Sequence, residues 1–282
     1  MTRIVYVNGN YVPAEEAKVS IFDRGFLFAD GVYEVTSVID GRLVDFAPHA
    51  DRLDRSLGEL KMAWPVSREA LREVHEELVR RNGVDQGMVY MQVTRGVAER
   101  EFTYPPSSTP TSLVAFTQAR ELVDNPNART GVKVVSIPDI RWKRRDIKTI
   151  ALLPQAMGKQ AARERGAFEA WMVEDGHVTE GTSSTSYIVR DETVITRPLS
   201  HAVLAGVTRR TVLRLMAERG IRLDERPFTI DEAYAADEAF LTSASTFVMP
   251  VVEIDGRRIG DGQPGPLTRR LREIYIEEAR KG

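Results

Sequence analysis

The chain has 282 residues, with 39 Lys and Arg against 41 Asp and Glu, and no cysteine. So balanced a charge gives no electrostatic reason to expect nucleic acid or a membrane surface as partner, and the missing thiols exclude disulfides, thiol catalysis and thiolate metal sites. No run of 18 apolar residues could span a bilayer, and the length suffices for two ordinary hydrophobic cores. The apolar run near the start is too short for a signal peptide, so a cytoplasmic location is expected.

In chain order, the first 46 residues read as strands and turns. Val5-Tyr6-Val7, Asn8-Gly9-Asn10 and Tyr11-Val12 form a hairpin signal. A strand over 32–39 turns at Asp40-Gly41 into Leu43-Val44-Asp45-Phe46. Two helices follow: one begins near Pro48 with Leu53, Leu57 and Leu60 on one face, the other after the N-cap candidate Ser67 with Leu71, Val74 and Leu78 inward. Strand patterning returns at 88–94 and 113–116. The polar, turn-rich stretch 121–130 reads as a linker between a small N-terminal domain (1–120) and a larger C-terminal domain (131–282). Beyond it, 158–165 is helical, 168–173 and 178–180 are strand-like, and 208–219 and 267–279 are helices. The class is α+β, in two domains with a cleft between them.

Few residues stand out for chemistry. The four histidines have no metal-ligand spacing, and neither a Gly-rich nucleotide loop nor a nucleophile elbow occurs. Lys148 closes the basic run Arg141-Trp142-Lys143-Arg144-Arg145-Asp146-Ile147-Lys148, and Thr179-Glu180-Gly181 follows 32 residues later. A lysine amine can carry a carbonyl cofactor as a Schiff base, and neighbouring cations favour its neutral form. A carboxylate such as Glu180 can keep a pyridine nitrogen protonated, so that the ring draws electrons from a substrate carbon. Arg52, in His49-Ala50-Asp51-Arg52-Leu53, is either an interdomain ion-pair partner or an anion handle. Gly206-Val207-Thr208 opens a helix whose free N–H groups suit a phosphate, although Thr208 could serve simply as an N-cap. Ser243 and Ser245 are either phosphate contacts or strand-end hydroxyls, and Tyr33 is either core or site.

These motifs resemble, over nearly the whole chain, the fold-type IV pyridoxal-phosphate enzymes, and among them the D-amino acid aminotransferases. The resemblance implies a two-domain fold with the cofactor cleft between domains, and pyridoxal 5'-phosphate as cofactor. By the same match Lys148 is the Schiff-base lysine and proton shuttle, and Glu180 is the partner of the pyridine nitrogen. Arg52, Val207, Thr208 and Ser243 hold the phosphate. Asp23-Arg24-Gly25-Phe26 and Gly31-Val32-Tyr33-Glu34 resemble the family's N-terminal active-site strand, and by that match Tyr33 lies near cofactor and substrate. In Thr94 to Pro105, Arg100 matches the arginine that traps the substrate carboxylate. Phe102 stands where these enzymes usually carry histidine, which makes the pocket wall more apolar and admits hydrophobic D-amino acids or (R)-amines. Arg141 is a further anion partner in the pocket.

The family's use of this loop at the neighbouring active site implies a homodimer. The expected reaction is transfer of an amino group from a D-alanine-like donor to a 2-keto acid. Two alternatives share the cofactor site. Branched-chain aminotransferases usually follow the glutamate with Gly-Ser-Gly-Glu-Asn and carry a tyrosine five residues after the lysine. Here Glu180 precedes Gly181-Thr182-Ser183-Ser184-Thr185, and Leu153 holds the second position. The other alternative is aminodeoxychorismate lyase.

Overall fold

The computed structural model describes residues 2–281. The chain divides into two compact units, one comprising residues 2–121 and 147–151, the other 122–146 and 152–281.

The first unit contains β1 (Ile4–Val7), β2 (Asn10–Pro13), α1 (Arg24–Phe28), β3 (Gly31–Ile39), β4 (Arg42–Leu43), α2 (Phe46–Glu59), α3 (Arg68–Asn82), β5 (Gly87–Thr94) and β6 (Ser112–Ala119). Its strands form one sheet in the order β2-β1-β6-β5-β3-β4. The β1–β2 hairpin closes through Asn8 (φ 45°) and Gly9 (φ 94°). Positive φ at both positions gives the twist that a two-residue hairpin needs, which is why Asn-Gly is found there. Helix α2 starts at Phe46, earlier than its proline suggests, and buries Phe46, Ala50, Leu53 and Leu57 along one stripe. Burying Leu53 or Leu57 contributes roughly 1.5–3 kcal/mol each. Helix α3 is capped by the Ser67 hydroxyl, which accepts from the Ala70 N–H at 3.1 Å.

One helix interrupts the strand-and-turn reading of the N-terminal stretch. The Asp23 carboxylate accepts from the Gly25 N–H and caps α1. With only five residues, α1 is too short to show helical periodicity.

The second unit contains α4 (Pro126–Thr130), β7 (Val132–Pro138), α5 (Leu153–Glu164), β8 (Glu169–Glu174), β9 (His177–Gly181), β10 (Thr185–Arg190), β11 (Thr193–Thr196), α6 (Val207–Glu218), β12 (Arg222–Glu225), α7 (Ile230–Tyr234), β13 (Glu238–Ser243), β14 (Phe247–Ile254), β15 (Arg257–Arg258) and α8 (Pro266–Ala279). The sheet runs β12-β11-β10-β13-β14-β7-β8-β9, with β15 on β14. It is mixed: β11/β12, β14/β7 and β7/β8 are parallel, the other pairs antiparallel. Trp171, Ile188, Leu241, Met249 and Val251 anchor its core.

Within 121–130, the turn-rich stretch holds α4, and Leu122 is fully buried. The Arg272 guanidinium donates to the carbonyls of Leu122 and Val123 at 2.6 and 2.9 Å, tying that backbone into the second unit.

Candidate active site

Lys148 sits in the 147–151 segment that completes the first unit. Ile147 enters that unit's core. On either side of Val32, the Tyr33 N–H donates to the Lys148 carbonyl (3.0 Å) and the Ile150 N–H to the Gly31 carbonyl (3.1 Å). This two-bond clamp fixes the lysine backbone against the start of β3. Its Nζ lies 4.1 Å from the centre of the Tyr33 ring, a cation–π distance. Among the described residues no carboxylate pairs with it.

Arg52, one turn after His49 on α2, meets a carboxylate from β3. Its Nε and Nη2 donate to the two Glu34 oxygens at 2.8 and 2.7 Å, and the His49 Nδ1 lies 2.7 Å from Glu34 Oε2. All three side chains are at least nine-tenths buried. Burial pushes the Glu34 carboxyl up, but Arg52 and His49 outweigh it and hold the pKa at about 2. Burial also lowers His49, against the pull of Glu34. Sequence reading missed both partners. Glu34 and His49 both stand in stretches that resemble the family, but nothing local in the sequence pairs them with Arg52.

Arg100 and Phe102 lie on an exposed loop. The Arg100 guanidinium carbon lies 5.3 Å from the Phe28 ring centre and 5.6 Å from that of Phe102, and the two rings are 5.5 Å apart.

In the second unit, Glu180 on β9 is buried. Its Oε1 accepts from Arg141 Nη1 at 2.5 Å, and its Oε2 from the Leu204 N–H at 3.1 Å. Burial pushes the carboxyl above its ordinary value, opposed by the Arg141 charge and the Leu204 N–H. Arg141 also donates through Nε and Nη2 to Asp139, at 3.0 and 2.7 Å. The residue read as a pocket anion partner therefore has its guanidinium between two carboxylates of its own unit. The rest of the basic run is likewise engaged: Lys143 by Glu174, Arg144 by Asp146, and Arg145 by Glu174 and Asp139. The uncompensated cation cluster suggested by the sequence is thus neutralised where it stands.

The turn after Glu180 has its own anchor. Buried Glu169 accepts from the hydroxyls of Thr182, Ser183 (3.0 Å) and Ser184 (3.2 Å) and from the Ala170 N–H (3.0 Å). The available signal is the run of hydroxyl residues at 182–184, of which Thr182 and Ser184 are buried and need an acceptor.

Helix α6 begins at Val207 with Gly206 as N-cap and no side chain on its first N–H groups. A Cβ at Gly206 would stand 3.0 Å from the Thr185 hydroxyl and 3.2 Å from the Arg209 Cβ, so glycine keeps the approach to these N–H groups open. Thr208 is thus inside the helix, one residue past its start, and does not cap it. At the end of β13, the Ser243 hydroxyl lies 3.2 Å from Ser245 and 2.8 Å from Thr246.

Comparison with known proteins decides the family. Residues 31–254 match the model for amino-transferase class IV. The chain belongs to the class IV aminotransferases. Among curated relatives of this family, a D-alanine aminotransferase from Staphylococcus aureus (strain MSSA476) is 38% identical over 97% of this chain and 98% of its own. Another D-alanine aminotransferase, from Bacillus licheniformis, is 40% identical over 95% of this chain and 94% of its own. A solved class IV fold, the branched-chain aminotransferase from Thermoproteus uzoniensis with norvaline, superposes with a TM-score of 0.87 at 27% identity, covering 100% of this chain and 97% of that one. A branched-chain amino acid aminotransferase from T.th. with pyridoxamine 5'-phosphate gives 0.89 at 27% identity, covering 100% and 96%.

Proposed function

We propose that this class IV aminotransferase moves the amino group of a D-amino acid, D-alanine or a more hydrophobic relative, to a 2-keto acid with pyridoxal 5'-phosphate as cofactor. The observation that carries the substrate assignment is the 38–40% identity to D-alanine aminotransferases along nearly the full length. The branched-chain enzymes found by fold are less similar in sequence, at 27%.

The donor set fits the cofactor. Lys148 offers an amine with no carboxylate partner among the described residues. The uncapped N–H groups at Val207 and Thr208 and the Ser243 hydroxyl suit a phosphate, and Arg52, held by the Glu34 carboxylate, is the arginine proposed for it. Glu180 supplies a carboxylate for the pyridine nitrogen. When bound, the cofactor provides an electron-poor ring that withdraws electrons from the substrate α-carbon.

The chain's own contributions follow from its chemistry. Lys148 Nζ would hold the cofactor, and its amine is the group that would move the proton of the α-carbon. Arg141 favours the anionic form of the buried Glu180 against the push of burial, and Glu180 would face the pyridine nitrogen as its carboxylate partner. Tyr33 lines the substrate side beside Lys148. Arg100 receives the substrate carboxylate as a bidentate fork, and Phe102 gives that wall an apolar face.

A cytoplasmic homodimer accompanies this reading. Ile21, Phe26, Phe102 and Tyr104 are exposed apolar side chains on the first unit, of the kind a second copy of the chain would cover.

The test follows the absorption of the loaded protein as D-alanine and L-leucine are added separately. Conversion with D-alanine alone supports the assignment. Conversion with L-leucine alone replaces it with the branched-chain reading, and no conversion by a protein that holds the cofactor points to a lyase.

A further inference from the structure

The loop that carries Arg100 is exposed, yet it is not free. Arg24, on the short helix α1, is only 3% exposed. Its Nη1 donates to the Glu101 carbonyl at 2.6 Å and reaches the Thr103 carbonyl at 3.4 Å. One guanidinium thus holds the backbone on both sides of Phe102. Its Nε donates to Asp30 Oδ2 at 2.7 Å. The Arg24 guanidinium also stacks on the Phe28 ring, 4.6 Å from its centre, and Arg100 approaches that same ring.

Asp30 doubles the tether. It accepts from Arg95 Nε at 2.8 Å and Nη2 at 3.0 Å. Arg95 in turn donates to the Leu60 carbonyl at 2.9 Å and lies 3.6 Å from the centre of the Tyr104 ring. One carboxylate therefore orients two buried arginines, and these grip the loop at residues 101, 103 and 104. The local backbone is itself pinned, since the Arg24 N–H donates to the Gly96 carbonyl and the Arg95 N–H to the Asp30 carbonyl.

A surface loop of this kind would ordinarily sample many conformations, and ordering it on substrate binding would cost affinity. Here the ordering is built in before any substrate arrives. We infer that Arg24, oriented by Asp30, is a positioning residue for Arg100 and so sets the affinity for the substrate carboxylate. This rests on the proposed role of Arg100. Arg24 acts through the 101 and 103 carbonyls and through the shared Phe28 ring, and it contacts no reacting atom.

The informative variant is Arg24→Lys. A lysine keeps the charge for Asp30 but lacks the planar fork that spans two carbonyls beyond it. Three quantities are measured on the wild type and the variant: the KM and kcat for D-alanine, the cofactor affinity by absorbance titration, and amide hydrogen exchange in 100–104. The expected result is a KM raised about tenfold or more, as misplacement of a binding group produces. Alongside it, kcat and cofactor affinity stay within about twofold of wild type, and exchange speeds up in 100–104 but not in β5. A structural role alone would lower kcat or cofactor affinity as well as raise KM. Unchanged KM with unchanged exchange overturns the inference, as does an equal loss in all the activity measures. If the wild type proves idle on D-alanine, the transaminase reading fails on its own. The exchange measurement then still decides whether Arg24 holds the loop, and slow exchange in the variant overturns it. Should Arg24→Lys not fold, Asp30→Asn, which weakens the orientation of Arg24 without removing it, is subjected to the same three measurements.

Discussion

Replacing Arg141 with Met removes the only cation paired with Glu180 among the described residues. Asp139 keeps Arg145 Nη1 at 3.3 Å, whereas Glu180 keeps only the Leu204 N–H. Removing one partner of a buried ion pair costs about 3–5 kcal/mol, because the remaining charge is left uncompensated. The lower end is expected here, since protonation of Glu180 offers an escape. That escape fixes the pH dependence. Burial already raises the Glu180 pKa in the folded protein, and loss of Arg141 raises it further. A carboxyl with a raised folded pKa favours the fold at low pH, and that contribution disappears as pH climbs through the folded value. The cost of Arg141→Met should therefore be small near pH 5 and approach about 3 kcal/mol at pH 8. Adding Glu180→Gln removes the stranded charge, so the double variant should be more stable than the sum of the single changes by about 1–2 kcal/mol. The assay is urea unfolding of cofactor-free protein, followed by tryptophan fluorescence at several pH values. Bound cofactor would add its own stabilisation and must be absent. A cost independent of pH, or single effects that simply add, would refute the argument.

Other expected outcomes test neighbouring parts. Lys148→Ala should lower transamination by roughly 10²–10⁴-fold or more while leaving the urea midpoint nearly unchanged, because its amine has no ion pair to lose; stopped-flow absorption and a melt would check both. His75 is buried, with Nδ1 2.8 Å from the Leu71 carbonyl, and desolvation lowers its pKa from 6.5 to about 4. As pH falls below 6.5 the unfolded chain takes up a proton that the fold resists, so about 3 kcal/mol of stability should be lost by pH 4. His75→Leu should flatten that part of the stability profile, and unfolding midpoints at pH 7 and 4.5 would measure it. Glu169→Ala leaves the buried Thr182 and Ser184 hydroxyls and the Ala170 N–H without their acceptor and removes the Lys159 ion pair, at a cost of roughly 2–4 kcal/mol. Because the hydroxyls at 182–184 lie in the turn after Glu180, the variant should also shift the absorption maximum of the bound cofactor; an unshifted spectrum would confine Glu169 to stability.

What was legible in the sequence was local. Asn8-Gly9 and Asp40-Gly41 announce their turns because the required φ values suit those residues, and Ser67 announces its helix because capping is a contact three residues long. Long-range partners leave no such trace. Glu34 meets Arg52 across 18 residues and Arg141 meets Glu180 across 39, so the charges were visible but their pairing was not. That difference changes how the basic run from Arg141 to Lys148 is understood. Read as sequence, it is a cluster of like charges around one lysine. In the fold, Arg141, Lys143, Arg144 and Arg145 each face at least one carboxylate. Lys148 alone among the five has none among the described residues, and it meets the face of Tyr33 instead. With no carboxylate partner among the described residues, Lys148 has no ion pair to break before it meets a carbonyl, as a salt-bridged lysine would. The case for Lys148 as the cofactor lysine therefore rests less on the cations beside it than on the carboxylates that engage them and leave it out.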